Sequence, residues 1–282
     1  MAEATHRGTV VVTGASTGIG RACAQHLDRL GFTVLAGVRN AADGEDLRAD
    51  TSDRLRPMIL DVTDQASVDG IAKELRGVPL AGLVNNAGIG SGGPIEFLDL
   101  AEARRCFDVN VFGLLAVTKA LIPSLREGRG RIVNIGSIGG RVATPFLAPY
   151  SASKHAVEAI TDALRVELGP WGVRVAVVEP GSIATPIWDK AKAQTDEIDA
   201  GLPPEGQALY GTTIEALRKT VAMMAKRGAS PETVAKAVAH ALTAARPRTR
   251  YVIGVDARAQ LAVSRLLPDR AADAVIAKAM GL

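Results

Sequence analysis

The chain has 282 residues, 47% of them hydrophobic, enough for one large α/β domain or two small ones with a sizeable core. Its net charge of +3 comes without any long basic block, which argues against nucleic acid as a partner. The cysteines, Cys23 and Cys106, share no paired motif, so neither a disulfide framework nor a metal centre is expected.

Residues 1–8 are polar and no run of about 18 apolar residues occurs, which predicts neither a signal peptide nor a membrane span. A reducing cytoplasm is the default compartment. Residues 8–13 form a β-branched run that leads into Gly14-Ala15-Ser16-Thr17-Gly18-Ile19-Gly20, and a helix continues to Leu30. A strand, a glycine-rich turn and a helix start together make an anion site. The glycines let the backbone approach a pyrophosphate, and the helix start offers free N–H groups.

A second strand, residues 33–38, ends at Arg39. An acid at this strand end would bind a ribose 2′-hydroxyl, whereas a cation suits a 2′-phosphate. Arg39 therefore favours NADP(H) over NAD(H), although it could also stack on adenine in either cofactor. Residues 57–60 form a third strand ending at Asp61 and Val62, and Thr63-Asp64 caps the next helix. A fourth strand, 81–85, runs into Asn85-Asn86-Ala87-Gly88, outside the carboxyl ends of the strands, where ligands bind in such folds. Either asparagine could instead be a simple turn residue. Residues 100–125 read as one long amphipathic helix in which the polar Asn110 needs a partner for its amide.

Residues 131–136 form a buried strand that ends at Ser137. A helix over 150–168 then sets Tyr150 and Lys154 one turn apart, about 6 Å along the axis. An ammonium so placed is expected to lower the phenol pKa, and Ser137 can donate to an oxygen that changes charge. Tyr-x-x-x-Lys alone would fit an ordinary solvated helix face equally well. A sixth strand, 173–178, precedes Pro180-Gly181-Ser182-Ile183-Ala184-Thr185. Between residues 186 and 227 the periodicity weakens, with Gly201, Pro203, Pro204, Gly206 and Gly211 as breakers, as expected of a substrate lid. Its Ile187, Trp188, Leu202, Leu209, Tyr210, Leu217, Met223 and Met224 suggest a lipophilic substrate, although the methionines fit helix packing as well. A helix over 231–244 and a closing strand over 250–254 follow. Helically spaced apolar residues continue through 256–282.

Thr13-Gly14-x-x-x-Gly18-x-Gly20, Asn85-Asn86-Ala87-Gly88, Asn110, Ser137, Tyr150-x-x-x-Lys154 and Pro180-Gly181 stand in an order and spacing that resemble the short-chain dehydrogenase/reductase family. The likeness covers roughly the first 255 residues, and the tail resembles that of the hydroxysteroid and retinol dehydrogenase branch. It implies an α/β fold: a single Rossmann-type, doubly wound parallel sheet with helices on both faces. Residues 1–255 would form the dinucleotide-binding and catalytic domain, including the lid at 186–227, and 256–282 a helical extension packed on it.

The implied activity is hydride transfer between a nicotinamide cofactor and a secondary alcohol or ketone, apolar and steroid- or retinoid-like. The implied catalytic set is Asn110, Ser137, Tyr150 and Lys154, with Asn110 kinking its helix to hold a water next to the lysine. Cofactor contacts are implied at Gly14, Ser16, Thr17, Gly18, Ile19, Gly20, Arg39, Asp61, Val62, Asn86, Tyr150, Lys154, Pro180, Gly181, Ile183 and Thr185. Asn85 would tie neighbouring strands. Val38 stands where NAD-preferring members carry Asp, which again points to NADP(H). Helices 100–125 and 150–168 would make the contact of a homodimer or homotetramer. A dinucleotide sensor or scaffold that has lost catalysis is the alternative function, against which the complete Asn110, Ser137, Tyr150 and Lys154 set argues.

Overall fold

A computed structural model describes residues 7–280. Seven strands form one sheet in the order β3-β2-β1-β4-β5-β6-β7, and every neighbouring pair is parallel. In chain order these are β1 (Thr9–Val12), β2 (Thr33–Val38), β3 (Leu55–Ile59), β4 (Leu80–Asn85), β5 (Arg131–Ile135), β6 (Arg174–Pro180) and β7 (Arg250–Ile253). The order reverses between β1 and β4, which opens a crevice at their carboxyl ends.

The strands alternate their side chains between two cores, as a sheet covered on both faces requires. Val10, Val12, Val34, Val84, Val133 and Val178 pack under α1 (Gly18–Arg29), α2 (Ala41–Arg48) and α9 (Pro231–Thr243). Val11, Leu35, Leu83, Ile132 and Val175 pack under α3 (Gln65–Glu74), α5 (Leu114–Glu127) and α6 (Ala148–Glu167).

Two stretches depart from expectation. Residues 100–125 are not one uniform helix: α4 (Leu100–Phe107) and α5 are separated by a π-turn over Asp108–Gly113. Asn110 lies inside that turn with its amide bonded elsewhere, which is what diverts the regular ladder. Leu100–Glu127 as a whole is long and apolar enough to cross a membrane by length and composition, contrary to the sequence expectation. Its Val117, Leu121 and Leu125 are nevertheless buried in the second core.

The tract 186–227 is helical, forming α7 (Ile187–Gly201) and α8 (Pro204–Arg227). Gly201, Pro203 and Pro204 separate the two helices as the sequence suggested. Gly206 and Gly211, by contrast, lie within α8. At Gly206 the missing side chain is a packing device, since a Cβ would stand 3.0 Å from Leu202 and 3.2 Å from the Phe97 ring. Beyond β7, α10 (Val255–Leu266) packs on β7 and on the turn Ile138–Gly140, and α11 (Asp269–Met280) packs on α8.

Candidate active site

The glycine-rich turn after β1 is closed too tightly for any other residue. Gly14 and Gly18 have φ of +62° and +57°, and a Cβ at Gly20 would lie 2.1 Å from the Gly14 carbonyl oxygen. Asn86 fastens the turn to the end of β4 by donating from Nδ2 to the carbonyls of Thr13 (3.0 Å) and Gly14 (2.9 Å). Thr13 completes the joint, its hydroxyl accepting from the N–H groups of Asn86 and Ala87. Thr17 caps α1 without a side-chain hydrogen bond, so its side chain satisfies none of the first-turn N–H groups. This cradle of bare backbone at a helix start fits the pyrophosphate of a dinucleotide.

Along the sheet from that cradle, Val38 is buried beside Gly44 of α2, while Arg39 reaches solvent. Asp61 accepts from the Thr63 N–H (2.9 Å) and hydroxyl (2.7 Å). Those bonds, with a smaller contribution from the charge of Arg39, hold its carboxyl below the usual range. The Val62 side chain belongs to the core and packs over Gly113. On the other side of the cradle Thr185 comes down on Gly18, where a Cβ would lie 3.2 Å from its side chain. Ile183 is buried, and Pro180 and Gly181 lead the chain out of β6.

At the end of β5 the sheet and α6 bring Ser137, Tyr150 and Lys154 together. Ser137 and Tyr150 both border Gly139, where a Cβ would be 3.4 Å from Ser137 Oγ and from the Tyr150 ring. Lys154 Nζ lies 5.9 Å from the centroid of that ring and donates to the Ile135 carbonyl at 2.9 Å. Asn110 approaches from the π-turn. Its Oδ1 accepts from the Ile89 N–H (2.8 Å), and its Nδ2 donates to the Ile89 carbonyl and to Ser153 Oγ, both at 3.0 Å. A Cβ at Gly88 would stand 3.3 Å from Asn110 Oδ1 and 3.6 Å from Lys154 Nζ, so both groups converge on that glycine.

The electrostatics of this cluster differ from the sequence expectation. Burial pushes the Tyr150 phenol up, and only a hydrogen bond with Ser137 works against it. Burial also pulls the Lys154 ammonium down to about 8. Desolvation outweighs the anticipated effect of the lysine, whose ammonium bonds to the Ile135 carbonyl. At neutral pH the phenol is therefore protonated and able to donate.

Asn85 spans β4 and β5, donating from Nδ2 to Asn134 Oδ1 and Thr118 Oγ1, each at 2.9 Å. Sequence reasoning missed Thr13, Ser153 and Cys106, which support the turn and Asn110. Thr13 and Ser153 stood inside the quoted motifs, but nothing local marked Cys106, whose sulfur meets Asn110 Nδ2 at 3.3 Å.

A doubly wound parallel sheet with a pyrophosphate cradle at its switch point and a Ser/Tyr/Lys cluster two strands away defines a nicotinamide-dependent oxidoreductase. The chain belongs to the short chain dehydrogenase family, whose model matches residues 8–196. It is similar to mouse (Mus musculus) retinol dehydrogenase 5, with 40% identity over 280 residues covering 95% of this chain and 87% of that one. An NADPH-dependent 3-dehydrocapnine reductase from Ornithobacterium rhinotracheale is 36% identical over 277 residues, covering 95% of both. Among solved structures, a short-chain dehydrogenase from Streptomyces avermitilis superposes with a TM-score of 0.77 at 30% identity, covering 99% of this chain and 96% of that one. The chain is thus a dehydrogenase or reductase acting between an alcohol and its carbonyl.

Proposed function

We propose that the protein is an NADP(H)-dependent oxidoreductase acting on apolar secondary alcohols or ketones, with Tyr150 as the acid/base group. The observation that carries this is the convergence of Ser137, Tyr150, Lys154 and Asn110 at one strand end. Burial raises the phenol there, so it is protonated at neutral pH, and Ser137 lies beside it. When bound, the nicotinamide supplies or accepts the hydride. Tyr150 gives its proton to the carbonyl oxygen in reduction and takes it back in oxidation. Ser137 steadies that oxygen, and Lys154 lies close enough to follow the charge on the phenolate. Asn110 fixes the backbone at Ile89 beside them, and its π-turn opens the helix where a proton relay would run.

Three features support NADP(H): exposed Arg39 at the end of β2, the absence of an acid at Val38, and a relative named as NADPH-dependent. The groups that would hold this cofactor are those of the glycine-rich turn, Arg39, the ends of β3 and β4, and the loop from Pro180 to Thr185. For the substrate, the space between α7, α8 and Phe146 is apolar, lined by Pro94, Ile198, Ile214 and Leu217. It measures only about 10 Å³, and in this proposal α7 and α8 move to admit a ligand. Of the other lid residues, Trp188 serves as a clamp on Ile183, while Leu209 and Met223 are exposed. We further propose that 256–282 packs on the one Rossmann domain, and that exposed Phe112 and Leu115 on the 100–127 helix meet a second copy in a cytoplasmic dimer or tetramer.

The test is a turnover screen with NADPH and NADH against apolar ketones, short polar ketones and sugars. The proposal expects the highest kcat/KM for NADPH with bulky apolar ketones. No turnover with any of them would favour the dinucleotide-sensing alternative.

A further inference from the structure

The loop that leaves β6 is gripped by a residue outside the family's matched span. The Gly181 N–H donates to the Ile253 carbonyl at 2.8 Å, so this loop and the start of α10 run side by side. Asp256, in the first turn of α10, reaches across and accepts from the Ser182 N–H at 2.7 Å. Two glycines make room for it. A Cβ at Gly181 would lie 2.5 Å from both carboxylate oxygens, and one at Gly254 would lie 2.3 Å from Oδ1. Gly254 has φ of +110°, a conformation open to glycine alone at ordinary cost.

The rest of the loop is held by neutral groups: the Ala229 backbone bonds to Ser182 and Ala184, and Trp188 Nε1 donates to the Ile183 carbonyl at 2.7 Å. Among the described residues, Asp256 is the one charged side chain bonded to this loop. A charge-assisted bond is roughly twice as strong as a neutral one, and the α10 amino terminus favours the carboxylate. The loop's far end, Thr185, rests on Gly18 of the pyrophosphate cradle. The bond at Ser182 therefore sets the path of the loop as far as Thr185, whereas the cradle itself is held separately by Asn86 and Thr13.

We propose that Asp256 is a positioning residue that fixes the loop 182–185 at the height where Ile183 and Thr185 close on the nicotinamide half of the cofactor. It does so without touching the cofactor itself. This rests on the proposed role of that loop, and the experiment separates the two. NADPH and adenosine 2′,5′-bisphosphate, which lacks the nicotinamide half, are titrated against the wild type, Asp256→Ala, Asp256→Asn and Thr185→Ala. Asp256→Ala is expected to weaken NADPH by about tenfold, the worth of one charged hydrogen bond, and to leave the fragment unchanged. Asp256→Asn keeps a neutral acceptor for the Ser182 N–H and should recover about half of that loss in free energy. Equal losses for both ligands, or none for NADPH, would overturn the proposal. If Thr185→Ala also left NADPH unaffected, the loop assignment itself would be at fault. Should Asp256→Ala fail to fold, Gly181→Ala displaces the carboxylate and should give the same selective loss, whereas unchanged NADPH binding there would refute it.

Discussion

Lys154 Nζ sits 5.9 Å from the centre of the Tyr150 ring yet spends its hydrogen bond on the Ile135 carbonyl, at 2.9 Å. Lys154 is buried beside the half-buried Tyr150, and among the described residues no carboxylate bonds the ammonium; burial therefore pulls the lysine down to about 8 from 10.5. The same burial raises the phenol. The pair is thus set with the lysine as the first group to lose a proton as pH rises.

This has a consequence for stability. Between pH 8 and 10.5 the unfolded chain keeps its Lys154 proton while the folded chain releases it. The unfolded state then binds more protons at this group, so the Lys154 contribution to stability rises with pH across that window, opposed above pH 9 by Cys23, whose thiol burial pushes up to about 12. Below pH 8 both states are charged and the full cost of burying the ammonium is present. The rise is bounded by about 3 kcal/mol, and Lys154→Met should remove it. Urea midpoints of the unliganded protein at pH 8 and pH 10 measure this, and an unaltered slope in the variant would assign the titration to another group.

Arg39 gives a second prediction. It is exposed at the end of β2 with Asp61 as its charged neighbour, so a 2′-phosphate would find one cation there. Arg39→Ala should weaken NADPH by at least about tenfold and NADH far less, since a charge-assisted bond to phosphate is lost in only one case. Fluorescence titration with both cofactors decides it, and equal losses would mean that the arginine stacks on adenine instead.

The lid supplies a third. Arg218 of α8 holds Asp196 (2.9 Å) and Asp199 (3.0 Å) of α7 together with Glu215 (2.8 Å) of its own helix. Tyr210 adds an edge-on contact with Phe97 and with Phe146, and its hydroxyl donates to Glu96. The arginine and its partners are screened by solvent, so the network is a modest restraint. Arg218→Ala should speed chymotryptic cleavage within 187–227 about fivefold if opening precedes cleavage. Unchanged cleavage would show that the aromatic contacts alone hold the lid.

How far the sequence could carry these conclusions varies with the scale of the feature. Strand β2 lies over residues 33–38 as expected, and the other strands differ by a few residues at their ends, because apolar patterning is a local property. The helix distortion at Asn110 was implied by the family resemblance, but its form as a π-turn was not legible from the residues alone. A polar residue on an apolar helix signals that a partner exists, but the partner, Ile89, comes from another element. Gly206 looked like a helix breaker because the sequence does not show that Phe97 lies against it. The direction of the Tyr150 shift was misjudged for a similar reason. Charge spacing can be read from i and i+4, whereas desolvation depends on everything that covers the site. Asp256 was invisible as a partner of Ser182, since 74 residues separate them.

The last prediction concerns the proton. A phenol raised by burial and steadied by Ser137 is an acid at neutral pH and a poor base, so the carbonyl-reducing direction should dominate near pH 7. Oxidation requires the phenolate and should quicken as pH rises. Tyr150→Phe keeps the ring and removes only the hydroxyl. Reduction should then fall by about 10²–10⁴, the usual contribution of a general acid, while cofactor affinity is nearly kept. Ser137→Ala should act differently. It removes the one bond that lowers the phenol, so the alkaline rise of the oxidation profile should move to still higher pH, with a smaller loss of reduction. Stopped-flow reduction and the pH profile of oxidation measured on both variants separate these effects. If Tyr150→Phe kept ordinary turnover, some other group would be the proton donor. The convergence of Ser137, Tyr150 and Lys154 at the end of β5 would then need a different explanation.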